Sequence, residues 1–126
     1  MLSGAEYVGF IPITDVARAR DFYAGFLGLR VLEESPAALV LDANGTMLRL
    51  TPIDDHRPRP GTIAGWAVAD MKGAINELTA AGVQFNRYDG MAQDIDGVWT
   101  SPSGALVAWF DDPDGNTLSL TTFPKV

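Results

Sequence analysis

Apolar and polar positions along the chain change rhythm in an order that occurs twice. Tyr7 to Ile13 alternates bulky apolar and mixed residues with the period of a strand. Thr14-Asp15 then supplies an N-cap, and Val16, Ala19, Tyr23 and Phe26 follow at helical spacing until Gly28 stops the helix. The same grammar returns at Ile63 to Val68, with Asp70 as cap, Met71, Ala74, Ile75, Leu78 and Ala81 as the apolar stripe, and Gly82 as terminator. The two caps lie 55 residues apart.

A closer match lies later in each half. The stretch Ala38-Leu-Val-Leu-Asp-Ala-Asn-Gly-Thr-Met-Leu-Arg-Leu-Thr51 overlies Ala108-Trp-Phe-Asp-Asp-Pro-Asp-Gly-Asn-Thr-Leu-Ser-Leu-Thr121 at an offset of 70, with six of fourteen positions identical. Asn44-Gly45 and Pro113-Asp114-Gly115 supply the turn residues of a hairpin in each copy. Each half is therefore expected to run strand, helix and three strands, an α+β fold of two paired βαβββ modules. Their curved mixed sheets would enclose a cleft, with the helices on the outer faces.

The boundaries follow from composition. Module 1 covers residues 5–52, a linker rich in proline and charge covers 52–61, and module 2 covers 62–124, all within one domain of 126 residues. The offset grows from 55 to 70, which places an insertion at Gly90 to Gly104, read as a lid. Pairing of the modules within one chain, or by exchange between two chains as a homodimer, both fit the linker.

Alternation assigns faces. Leu48 and Leu50, like Leu118 and Leu120, belong under the helices, with Ile11, Ile13, Trp66 and Val68 beside them. The opposite face then carries Val8, Phe10, Pro12, Met47, Arg49 and Thr51 in the first half. In the second it carries Ile63, Gly65, Thr117, Ser119 and Thr121.

Composition narrows the partners. Sixteen acidic residues against nine basic give a net charge of -7, which disfavours nucleic acid and anionic membranes. No apolar run is long enough to span a bilayer, and Met1 to Glu6 lacks the features of a signal peptide, so a cytoplasmic location is expected. The absence of cysteine removes disulfides, thiolate zinc sites and cysteine nucleophiles.

Asp15-Val-Ala-Arg-Ala-Arg-Asp-Phe-Tyr-Ala-Gly-Phe-Leu-Gly28 resembles the first-helix signature of the vicinal oxygen chelate superfamily, and Ala108-Trp-Phe-Asp-Asp-Pro-Asp-Gly-Asn-Thr-Leu118 resembles its closing hairpin. That superfamily holds glyoxalase I, extradiol dioxygenases and bleomycin-type resistance proteins. The resemblance implies that metal-dependent members take a His, Glu or Gln from the first and last strand of each module. Counted from Asp15, Asp70 and the two hairpin glycines, those places hold Val8, Arg49, Ile63 and Ser119. Two apolar side chains, a guanidinium and a hydroxyl make no divalent-ion site, and a shift of one residue brings in no better donors.

The expectation is a metal-free, cofactor-free binder that sequesters a small aromatic or cationic molecule, as the resistance proteins do. A metal-dependent lyase, isomerase or dioxygenase is the alternative, and a structural or regulatory dimer with a vestigial groove is the third. Candidate ligand-binding residues are Val8, Phe10, Met47, Arg49, Ile63, Trp99, Trp109 and Ser119; none is assigned a catalytic role. Arg49 needs an anion, supplied either by Glu6 or an acid of the 90–104 loop, or by a carboxylate or phosphate on the ligand. Phe10 and Trp109 read as core more readily than as ligand platforms. Trp99 reads as an exposed loop indole that closes on a planar ligand or packs against a second subunit. His56 in the linker receives no role, Asp111, Asp112 and Asp114 read as a turn before a calcium loop, and Glu33-Glu34 as surface.

Overall fold

The computed structural model describes residues 1–125. The chain divides into two compact units, Met1–Arg57 and Pro58–Val126, each built on one four-stranded sheet. No helix is long and apolar enough to cross a membrane.

In the first unit, β1 (Val8–Ile13) leads to α1 (Val16–Arg20), then β2 (Arg30–Ser35), β3 (Ala38–Ala43) and β4 (Thr46–Pro52) follow in the order β1-β4-β3-β2. The β1–β4 pairing is parallel and the others antiparallel. Asp15 caps α1, its Oδ1 accepting from the Arg18 N–H at 3.0 Å. Beyond Arg20 the helix widens into a π-helical segment, Asp21–Phe26, that buries Phe22 and Tyr23. Gly28 follows at φ +77°, where a side chain would be strained, and the Leu29 N–H returns to the Tyr23 carbonyl at 3.0 Å. The helix packs on β3 and β4, over Ile11, Ile13, Leu39, Leu41, Leu48 and Leu50, all buried. Asn44 and Gly45, at φ 51° and 95°, form the two-residue turn that joins β3 to β4.

Pro52 departs from the expected linker. It is the last residue of β4, on the ladder opposite Ile13, and the next residue, Ile53, restores the donor that proline lacks by bonding the Ile13 carbonyl at 2.8 Å. A proline at a strand end costs no interior hydrogen bond.

The second unit repeats the plan with β5 (Thr62–Ala67), α2 (Met71–Ala81), β6 (Trp99–Thr100), β7 (Leu106–Asp111) and β8 (Thr117–Thr122), in the order β5-β8-β7-β6. Asp70 Oδ1 accepts from the Gly73 N–H at 3.1 Å, and Gly82 ends α2 in the left-handed region. Met71 and Ile75 of α2 are buried, as are Ala108, Phe110, Leu118 and Leu120 in the sheet. The β7–β8 connection is closed by Asp112, a buried carboxylate. Its Oδ1 accepts from the N–H groups of Asp114 and Asn116, and its Oδ2 from the Asn116 amide, each at 2.9 Å. The acidic run at 111–114 is thus a turn, built as the sequence predicted.

The 90–104 segment is fastened rather than hanging as a lid. Gln93 Nε2 donates to the carbonyls of Asn86 and Gly97, Asp94 Oδ1 accepts from the N–H groups of Asp96 and Val98, and Lys72 pairs with Asp96 at 3.1 Å.

Candidate functional site

Each sheet has one face under its helix and one turned away from it. In the first unit the ladder sets Val8 opposite Met47, Phe10 opposite Arg49 and Pro12 opposite Thr51, so all six share the second face, as alternation predicted. Val8 therefore neighbours Met47, and Arg49 is the ladder partner of Phe10. Phe10 is not a core residue: 66% of it is exposed, because the core face of β1 is filled by Ile11 and Ile13.

Arg49 is half-buried, between Phe10 on β1 and Val40 on β3. Its only hydrogen-bond partner among the described residues is the Met47 sulfur, at 3.9 Å. No described carboxylate of its own unit pairs with it, so the internal ion pair with Glu6 is absent. The acids of this unit are otherwise engaged where they pair at all: Glu34 with Arg20 at 3.0 Å, and Asp42 with Arg30 at 3.5 Å. A guanidinium on a partly apolar face, with a thioether as its sole contact, retains nearly all its capacity for an anion.

In the second unit Gly65 pairs with Ser119, and Ser119 with Trp109 on β7. Ile63 is the extra residue of a β-bulge, since Thr62 pairs with Thr117 and Ala64 with Leu118. Ser119 is buried and closely fitted: a Cβ on Gly65 would stand 2.4 Å from its Oγ.

A cleft of about 280 Å³ opens on this unit, lined by Pro60, Gly61, Thr62, Tyr88, Met91, Trp109 and Thr117. Trp109 is neither core nor loose. Its Nε1 donates to Thr62 Oγ1 at 3.0 Å, and its ring meets Tyr88 at 5.7 Å and 82°. Trp99 stacks on its other side at 6.1 Å and 37°. The expectation of an exposed loop indole fails here, because Trp99 sits in β6, pairs with Val107 and is half-buried against Trp109. Tyr88, Thr62 and Met91 were not singled out by sequence. Tyr88 lies in irregular chain, and it is held beside Trp109 by the Asn86 N–H on the Trp109 carbonyl at 2.7 Å, the Phe85–Phe110 bridge and its own N–H on Gln93 Oε1.

Metal donors are lacking at the four positions where the resemblance would place them. Val8 and Ile63 have none, Arg49 is itself a cation, and the Ser119 hydroxyl is a weak donor standing alone. Among the described residues no three of His, Cys, Asp and Glu lie together in a way that would hold an ion.

The profile of the Glyoxalase/Bleomycin resistance protein/Dioxygenase superfamily matches residues 5–120. A glyoxalase/bleomycin resistance protein/dioxygenase from Alicyclobacillus acidocaldarius is similar in structure, with a TM-score of 0.72 and 20% identity over 97% of this chain and 93% of that one. A member of the same superfamily from Sphaerobacter thermophilus gives 0.72 and 24%, covering 97% and 99%. A glyoxalase-related enzyme from Fulvimarina pelagi gives 0.70 and 22%, covering 96% and 89%. No curated protein matches the sequence.

Proposed function

We propose, from the premise that the chain belongs to the Glyoxalase/Bleomycin resistance protein/Dioxygenase superfamily, that it binds a small molecule directly, with no metal ion between protein and ligand. The observation that carries this reading is Arg49. A member that worked through a divalent ion would need a donor on the second face of β4, and this chain instead fixes a positive charge there with no described carboxylate to neutralise it. Such a group favours a ligand bearing a carboxylate or phosphate, which a guanidinium grips through two parallel N–H bonds. Exposed Phe10 and Met47 flank it and offer apolar surface to the rest of the ligand. The reading is of a protein that holds and sequesters its ligand.

The test is a thermal-shift panel of aromatic acids, antibiotics and aromatic amines, run first with chelator and then with divalent metals. A ligand at about 100 times its Kd stabilises by about 2.7 kcal/mol, a shift of roughly 10 °C for a chain of this length. Hits that persist unchanged in chelator support direct binding. Hits that appear only with added metal overturn it in favour of a metal-dependent member.

A further inference from the structure

The cleft on the second unit is built for positive charge, and we propose that it binds an alkylammonium ion, a methylated or quaternary amine with a small apolar body. The inference rests on the reading that this protein binds a small molecule without a metal, and it names the ligand chemistry of one site. Tyr88 and Trp109 line the cleft with their ring planes 82° apart, so they stand as two walls of a corner, and Met91 adds a polarisable sulfur. The faces of both rings are electron-rich, and a cation lodged against them is attracted by each. Neither ring needs to be ordered on binding. Thr62 holds the Trp109 nitrogen at 3.0 Å, Trp99 braces that ring from the side, and the Tyr88 oxygen accepts from Asn86 Nδ2 at 3.1 Å.

The charge around the corner agrees. Asp111 lies two residues beyond Trp109 on the same face of β7. Its Oδ1 accepts only from neutral groups, Asn86 Nδ2 at 2.8 Å and Thr117 Oγ1 at 3.3 Å, and no described cation pairs with it. Thr117 itself lines the cleft, so the exposed Asp111 carboxylate, its ladder partner, stands beside the lining. Of the two basic residues adjacent in sequence to the lining, Arg87 gives its guanidinium to the carbonyls of Gln93 and Ile95, and Arg59, before Pro60, is exposed to water that screens its charge. An anion would fare poorly. Two of the N–H donors near the cleft, the Trp109 indole and the Asn86 amide, are already committed to Thr62, Tyr88 and Asp111, which leaves neutral hydroxyls and no charged donor for it among the lining residues.

The full-length protein is titrated with choline and with 3,3-dimethylbutan-1-ol, its neutral isostere, following the Trp109 indole N–H by NMR. The expected result is that choline shifts that resonance and binds at least about tenfold more tightly than the alcohol. Tyr88→Leu, read on the same Trp109 resonance, should lose most of this preference, and Asp111→Asn should reduce it severalfold and weaken its dependence on salt. Choline against its isostere is read on the unaltered protein, so a variant that fails to fold does not remove the test. Equal binding of the two probes overturns the ammonium assignment while leaving direct small-molecule binding in place. If choline leaves Trp109 unperturbed but the chelator-treated panel gives hits, the inference alone fails; silence in both experiments sinks it together with the function proposed above.

Discussion

Replacing Arg49 by Met separates a ligand anchor from a structural cation, because the two roles differ in what the fold loses. Methionine keeps an unbranched apolar stem of similar reach over Val40 and beside Phe10, so packing is largely preserved. The guanidinium surrenders one long N–H contact to sulfur, worth a few tenths of a kcal/mol at most, and regains nothing that an internal ion pair would have supplied. Stability should therefore stay within about 1 kcal/mol of the parent, or about 4 °C in Tm. Breaking a buried ion pair would instead cost about 3–5 kcal/mol, roughly 11–19 °C. Affinity should behave in the opposite way. Two charge-assisted hydrogen bonds to a carboxylate contribute about 2–3 kcal/mol, so benzoate, followed by NMR titration, should weaken about 30- to 150-fold while benzamide is unchanged. Arg49→Lys, which keeps the charge and loses the fork, should fall between. A Tm drop beyond about 10 °C, or equal losses for benzoate and benzamide, would refute the reasoning.

Two further expectations concern the frame that carries these sites. Asp112→Ala removes the acceptor of three hydrogen bonds in a buried turn and should destabilise by about 3 kcal/mol in urea denaturation, at unchanged m-value; a loss under 1 kcal/mol would show that the turn closes without its carboxylate. Gly65→Ala presses a methyl against the Ser119 hydroxyl and should cost about 1–3 kcal/mol. Ser119→Ala in the same chain should recover most of that, and strict additivity of the two changes would mean that the contact is not the cause.

The duplicated fold was legible because its signals are local. The caps at Asp15 and Asp70, the stops at Gly28 and Gly82 and the Asn44-Gly45 turn each act within a few residues, and each sits where the periodicity placed it. What escaped depends on pairings between distant segments or on inserted residues. The wide π turn at Asp21–Phe26 leaves the 3-4-3 spacing of Val16, Ala19, Tyr23 and Phe26 intact, so spacing has no means of reporting it. The bulge at Ile63 adds a residue that counting back from Asp70 does not register. Trp99-Thr100 ahead of a Ser-Pro-Ser-Gly turn and Leu106-Val107 was a readable strand-turn-strand signal, masked by the polar residues before it. The Tyr88 wall of the cleft had no signal at all, since contacts between distant segments, the Asn86–Trp109 backbone bond and the Phe85–Phe110 bridge among them, bring it there.

Composition and side-chain chemistry had pointed in opposite directions about the ligand: a net charge of -7 favours a cation, whereas Arg49 asks for an anion. Taken unit by unit, the opposition disappears. The first unit carries eight acidic residues against five basic, yet Arg49, on the second face of its sheet, has only the Met47 sulfur as a described hydrogen-bond partner. The second carries eight acidic residues against four basic, and there Asp111, which accepts from Thr117, has no described cation of its unit paired with it. Net charge governs what approaches from a distance, whereas half-buried Arg49, which water screens less than a fully exposed charge, bears on what its own sheet face can hold. Benzoate and choline accordingly should report on different sheets, so that Arg49→Met weakens binding of the first about 30- to 150-fold and spares the second, while Asp111→Asn weakens the preference for choline severalfold and spares benzoate.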